Sequence, residues 1–150
     1  MAAIRRSTVI WEGDLAHGTG RVSADTSTAY TDLPVSWASR VERANGRTSP
    51  EELLASAHAS CYAMALSHIL GEGKTPPQRL QVEAVVTFEQ AGAGFKVSSS
   101  ALTVRGTVPG LDAQGFRQAA ETAKENCPIS QALHGNVGLS VEATLEAATA

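Results

Sequence analysis

The sequence predicts an α+β fold with antiparallel sheets gathered about one long helix, and three observations carry that prediction. The run between Glu52 and Glu72 contains no charged residue and is long enough for one extended helix. Two alternating segments, LQVEAVVTFE (residues 80–89) and FKVSSSALTVRGTV (residues 95–108), flank the turn sequence QAGAG, which is the pattern of a hairpin. Strand-like segments come in groups rather than alternating with helices, which favours α+β over a doubly wound parallel sheet.

The elements follow in order. TVIWE (8–12) and GRVSA (20–24) read as short strands joined by the Gly-rich polar link GDLAHGT, which suits a hairpin. DTSTAYTD (25–32) is turn-like, and residues 34–41 read as a further strand or an extended arm. ERANGR (42–47) is a loop with an Asn-Gly turn signal. The long helix then starts at Thr48 or Ser49 as N-cap, with Pro50, Glu51 and Glu52 in the first turn, where proline geometry and negative charge suit the helix start. Gly71 and Gly73 end it, and Pro76-Pro77 blocks its return. After the hairpin, Asp112 caps a helix over 113–125 whose packing face is Phe116, Ala119, Ala120 and Ala123. Cys127-Pro128 closes that helix, because the residue before proline is driven out of the helical region. A short helix (129–134) and a last strand (137–145) complete the chain, and the Ala-rich tail beyond Leu145 is expected to fray.

The 150 residues fit one domain, 1–150, with N-terminal strands and arm over 1–47, the central helix over 48–72 and the remaining elements over 78–150. A net charge of −3, with no basic run among the twelve Lys and Arg, argues against nucleic acid as a partner. The start MAAIRRSTVIWEG has no apolar core of signal-peptide length, so the expected location is cytoplasmic. Residues 53–71 reach the length of a membrane span, but Ala, Ser and His fill much of that stretch, so a buried helix is expected rather than a membrane partner. Because the helix is apolar or small on every face, one chain of this size has too few elements to cover it. That is a first indication of a partner subunit.

The chemistry centres on two cysteines. Leu54, His58, Cys61, Ala65 and His68 share one stripe of the long helix, so His58 lies one turn before Cys61. Cys61 can be packing material, since free cysteine behaves as a small apolar side chain. A metal site with His58 and His68 is opposed by the lack of paired ligand motifs. A reactive thiolate requires a cation or a helix N-terminus to lower a pKa near about 8.5. Cys61 lies well past the first turn of its own helix, leaving His58 or an arginine as the cation. Cys127 precedes Pro128 and stands at the start of the short helix, so dipole logic alone favours Cys127 as the nucleophile. The residues by themselves leave open which thiol attacks.

The string TSPEELLASAHASCYAMAL (48–66), together with NCPISQAL (126–133), resembles the OsmC/Ohr family of bacterial organic hydroperoxide reductases. WEGD (11–14), VPGLD (108–112) and GEG after the helix resemble its OsmC branch, and the likeness runs from about Trp11 to Leu145. The resemblance implies an intertwined homodimer in which antiparallel sheets wrap two long central helices. It also implies that Cys61 is the peroxidatic cysteine, Cys127 the resolving one, Glu51 the acidic residue of the PEEL string, and Arg40 the thiolate's partner. Val41, Glu42 and Arg43 follow Arg40 where the family usually has an aromatic residue and Glu-Gly, so Arg43 and Arg47 stand as alternatives to Arg40.

The implied activity is that of a thiol peroxidase without metal or bound cofactor. Cys61 attacks the O–O bond of an organic hydroperoxide, becomes a sulfenic acid, and condenses with Cys127; a dithiol of lipoyl type then restores both thiols. An apolar wall from Met64, Phe116, Ile129 and nearby leucines would favour organic substrates. Glu51 and Cys61, ten residues apart on a straight helix, are separated by about 15 Å along its axis, so one site holding both needs a second subunit. The alternative is a non-catalytic dimer that binds an apolar small molecule in the same cleft. A thiol hydrolase is a weaker third reading, since nothing beyond Cys61 and His58 suggests a triad.

Overall fold

The computed structural model describes residues 1–148, and the chain forms two compact units, Met1–Leu53 and Leu54–Ala150. Positions 149 and 150, the end of the tail expected to fray, lie outside the described residues. The described part of that tail is fastened at Glu146, whose backbone N–H donates to the Gly106 carbonyl at 2.8 Å and whose carboxylate pairs with Arg105 at 2.7 Å.

The first unit holds a three-stranded antiparallel sheet in the order β1 (Ser7–Glu12), β2 (Thr19–Ala24), β3 (Leu33–Val35). Gly20 pairs with Trp11 on one side and Val35 on the other. A Cβ at Gly20 would stand 2.8 Å from the Trp11 ring and 2.7 Å from Val35, so its absence lets both side chains close over the strand. The segment expected as a strand or arm over 34–41 instead turns helical after Val35, as α1 (Trp37–Val41). Its cause is local: Ser36 and Ser39 form a capping box, each side chain accepting the other's backbone N–H at 3.0 Å.

Helix α2 (Pro50–Glu72) starts as the sequence predicts, with the Ser49 hydroxyl accepting the Glu52 N–H at 3.1 Å. It ends by a different residue. Lys74, not glycine, takes the left-handed conformation (φ 61°), and the N–H groups of Gly73 and Thr75 cap the carbonyls of Ile69 and Leu70. The buried stripe of α2 in the second unit is His58, Tyr62, Leu66 and Leu70, at strict four-residue spacing. Of the residues in its most apolar 18-residue stretch, 22% are buried by the chain itself, and the others are half-buried or exposed.

The rest of the second unit is a mixed sheet in the order β4 (Arg79–Ala91), β5 (Gly94–Thr107), β6 (Gly138–Leu145), with α3 (Ala113–Asn126) and α4 (Pro128–Leu133) between β5 and β6. β4 and β5 form the expected hairpin about Gly92 and Ala93. β6 runs parallel to β5, because the helices between them carry the chain back before it re-enters the sheet. The other three strand pairings are antiparallel, and the fold is α+β. Asp112 caps α3 by accepting the Gly115 N–H at 2.7 Å. Phe116, Ala120, Ala123 and Cys127 line its buried side and join Tyr62, Leu66, Leu70, Leu102, Val104 and Val108 in one core.

A Cβ on Gly106 would lie 2.5 Å from the Phe116 ring, so glycine there lets α3 seat against β5. Gly106→Ala is expected to cost about 1–3 kcal/mol by overpacking. Urea unfolding should show it, and Phe116→Leu in the same chain should recover part of the loss. An unchanged midpoint would contradict the contact.

Candidate active site

In the second unit the two cysteines meet. Cys61 is half-buried on α2, Cys127 is fully buried between α3 and α4, and both are free thiols. Cys61 packs against the core that includes Cys127, and the Cys127 thiol is near enough to act on the charge of Cys61. The path that brings Cys127 there is short to state. Cys127 ends α3 by donating its N–H to the Ala123 carbonyl at 2.8 Å, and it starts α4 by accepting the Gln131 N–H at 2.9 Å. Pro128 at the first position of α4 needs no N–H partner and fixes that turn.

The electrostatics of the pair differ from the dipole argument made on sequence. Cys127 makes no side-chain cap to its own helix. The backbone of Ile129, in the first turn of α4, acts on the Cys61 thiol instead. Burial pushes the Cys61 thiol up, the Ile129 amide draws it down, and the neighbouring Cys127 thiol pushes it up further; the balance is a raised pKa. Within one chain Cys61 therefore holds its proton more tightly than an ordinary thiol.

His58 does not supply the missing cation. Its ring is completely buried, with Nδ1 2.6 Å from the Ser100 hydroxyl and Nε2 2.8 Å from the Ser130 hydroxyl. Burial lowers its pKa, which favours the neutral ring. With both nitrogens engaged by hydroxyls, it is neither a free base for Cys61 nor a metal ligand beside it. Sequence reasoning missed both serines. Ser100 carried a usable signal, because it continues the buried face of β5 set by Leu102, Val104 and Gly106; a serine on that face needs a partner. Ser130 is named in the CPIS string, but nothing in the string says that it faces inward.

In the first unit Arg40 and Glu51 form a second constellation. The Arg40 Nη2 donates to Glu51 Oε1 at 2.7 Å, and its Nε lies 3.1 Å from both carboxylate oxygens. Arg40 also lies over the Trp37 ring, 5.9 Å from its centroid. Glu51 is 8% exposed, whereas Arg43 and Arg47 are exposed, so Arg40 is the arginine of the three that joins Glu51. A cleft of 320 Å³ opens beside this pair, walled by Val9, Trp11, Val22, Val35, Trp37 and Leu53. The apolar wall expected from Met64 and Phe116 is different: Phe116 is sealed in the core of the second unit and Met64 is 71% exposed. Phe116 is unavailable because its ring fills the space above Gly106.

Two neighbouring free thiols, on helices packed with a mixed sheet, are the arrangement of a dithiol protein. The family described as OsmC-like protein matches residues 43–142, and this chain belongs to it. It is 38% identical over 132 residues to the peroxiredoxin OsmC of Escherichia coli K12, covering 88% of this chain and 91% of that protein. It is 28% identical over 96 residues to the organic hydroperoxide resistance protein OhrB of Bacillus subtilis, covering 63% of this chain and 68% of that one. The crystal structure of B. subtilis OhrB superposes with a TM-score of 0.73 at 26% identity, over 93% of this chain and 98% of that chain.

The neutral, buried His58 has a measurable consequence. The unfolded chain takes up a proton near pH 6.5, while the folded chain resists until lower pH. The stability associated with neutral His58 is therefore present above about pH 6.5 and is lost as pH falls through the lower folded value. Thermal unfolding between pH 6.5 and 5 should show declining stability, with a shallower decline in His58→Gln. Equal slopes in the two proteins would refute the buried neutral ring.

Proposed function

We propose that this chain is a two-cysteine thiol peroxidase that reduces organic hydroperoxides to alcohols. The observation that carries the reading is that Cys61 packs against the core holding Cys127, so two thiols far apart in sequence are neighbours in the fold. The names of its relatives, peroxiredoxin OsmC and organic hydroperoxide resistance protein OhrB, support a role in removing hydroperoxides. In the first step the Cys61 thiolate attacks one peroxide oxygen, the O–O bond breaks, and the other oxygen leaves with a proton as the alcohol. Cys61 is then a sulfenic acid. The Cys127 sulfur displaces its oxygen as water, giving a Cys61–Cys127 disulfide, and an external dithiol of lipoyl type returns both thiols.

Cys61 needs a cation, because burial and Cys127 together raise its pKa. Arg40, oriented by Glu51 and Trp37, is the candidate; a guanidinium stays charged and presents fixed donors to a thiolate or a peroxide oxygen. Glu51 stands ten residues before Cys61 on one unbroken helix. The reading therefore includes a homodimer in which the Arg40–Glu51 pair of one copy serves the thiols of the other. Helix surface left uncovered by its own chain supports the same assembly. The apolar cleft beside Arg40 suits an alkyl or aryl substituent of the peroxide.

Intact mass after one equivalent of cumene hydroperoxide tests the cycle. The wild type should lose two hydrogens, Cys127→Ser should gain one oxygen, and Cys61→Ser should be unchanged. A wild type of unchanged mass would reject the peroxidase in favour of a small-molecule binder. For the cation, Arg40→Ala should raise the pH midpoint for alkylation of Cys61 and slow the first oxidation by at least about tenfold. The protein should sediment as a dimer; a monomer with full activity would overturn the shared site.

A further inference from the structure

Three fully buried polar side chains, His58 on α2, Ser100 on β5 and Ser130 on α4, form one hydrogen-bonded line through the core of the second unit. The proposed chemistry uses none of them. Such a line is costly to bury unless every polar atom is satisfied, and no buried side-chain polar atom is left without a partner among the described residues. Its location gives it a further consequence. His58 is one turn before Cys61 on α2, and Ser130 is one turn after Cys127 in α4. The His58–Ser130 bond is therefore a cross-tie between the helix that carries one sulfur and the short helix that starts at the other.

We propose that His58 is a positioning residue that, through the Ser130 hydroxyl, holds the first turn of α4 against α2 and so sets the approach of the Cys127 sulfur to oxidised Cys61. This rests on the peroxidase reading for its biological meaning but not for its physical test. A neutral imidazole has one donor nitrogen and one acceptor nitrogen. Each serine hydroxyl can complement either, so the ring links β5 and α4 at once. α4 has only six residues and shows no side-chain cap at its start, so it depends on external ties for its position. Ile129, whose backbone acts on the Cys61 thiol, belongs to the same turn as Ser130 and is held with it.

The chemical outcome is a partition. A Cys61 sulfenic acid has two exits. Attack by the Cys127 sulfur expels the sulfenic oxygen, which leaves as water, and forms the disulfide. Attack by the sulfenate on a second hydroperoxide breaks another O–O bond, releases an alcohol, and leaves Cys61 as a sulfinic acid. Holding α4 in place favours the first exit. Loosening it leaves Cys61 exposed to the second.

The test compares two amides that mimic different halves of the ring. Gln places its terminal polar group near the position of Nε2 and can keep the Ser130 tie. Asn places its group near Nδ1 and keeps only the Ser100 side. Ser130→Ala removes the same tie with a minimal change of volume, so the proposal stays testable if a His58 variant does not fold. Folded, reduced proteins are treated with ten equivalents of cumene hydroperoxide, and the sulfinic product is read by intact mass and peptide mapping. His58→Asn and Ser130→Ala should accumulate at least about fivefold more Cys61 sulfinic acid than the wild type, with His58→Gln between them. The same proteins are then oxidised with diamide, which closes a dithiol without any peroxidase step. Disulfide closure should be slower in His58→Asn and Ser130→Ala by a similar factor.

Closure by diamide at the wild-type rate in both folded variants would overturn the positioning role. So would equal behaviour of His58→Asn and His58→Gln in the closure assay, since a role in packing alone would not distinguish the two ring nitrogens. If the wild type is inert to hydroperoxide, the peroxidase reading fails, and the diamide comparison still decides the role of His58.

Discussion

Everything chemical in the second unit depends on how α3 seats against α2 and β5. Phe116 enters the space left by the missing side chain at Gly106. Ala120 and Ala123 then present a smooth helix face toward the Tyr62–Leu66–Leu70 stripe. The Tyr62 hydroxyl donates to the Ala120 carbonyl at 2.9 Å, and burial drives its pKa upward, so it remains a donor. Cys127 is the last member of that same α3 stripe. Cys127 lies beside Cys61 because the helix carrying it is fixed by ring, glycine and alanine contacts rather than by any bond between the thiols.

That arrangement separates proximity from activation. Packing brings the sulfurs together, but the same packing removes water and adds a second thiol, and both effects disfavour charge on Cys61. The Ile129 amide returns part of the loss. A guanidinium returns more in general, which is the role proposed above for Arg40, itself held by Glu51 and Trp37 in the first unit. Each unit holds one feature of its own: the second gathers the two sulfurs, and the first holds a guanidinium paired with a carboxylate beside an apolar cleft.

Much of this was legible in the sequence. The uncharged run with Ser49 and Pro50 before it gave α2 to within two residues, because the cap and the proline act locally. Period-two alternation gave β4, β5 and β6 for the same reason. What stayed hidden was non-local. The helical turn at Trp37 follows from a two-serine capping box that looks like an ordinary polar loop. The parallel placement of β6 depends on where the helices return the chain. The strand pattern marks Ser100 as facing inward, but neither its pairing with His58 nor that of Ser130 was readable, since the residues they join are 42 to 72 positions apart. The family resemblance named both sulfurs, but it gave no reason for their environment.

The parallel zipper of β5 and β6 has an entropic meaning. Eight consecutive registers, from Ser99 opposite Gly138 to Gly106 opposite Leu145, fasten the two ends of the segment that contains Cys127. That segment is a closed loop before any oxidant arrives, and much of the freedom that loop closure would cost has already been surrendered on folding. In the proposed cycle the second sulfur would then act as a reagent at high effective molarity, supplied from within its own chain.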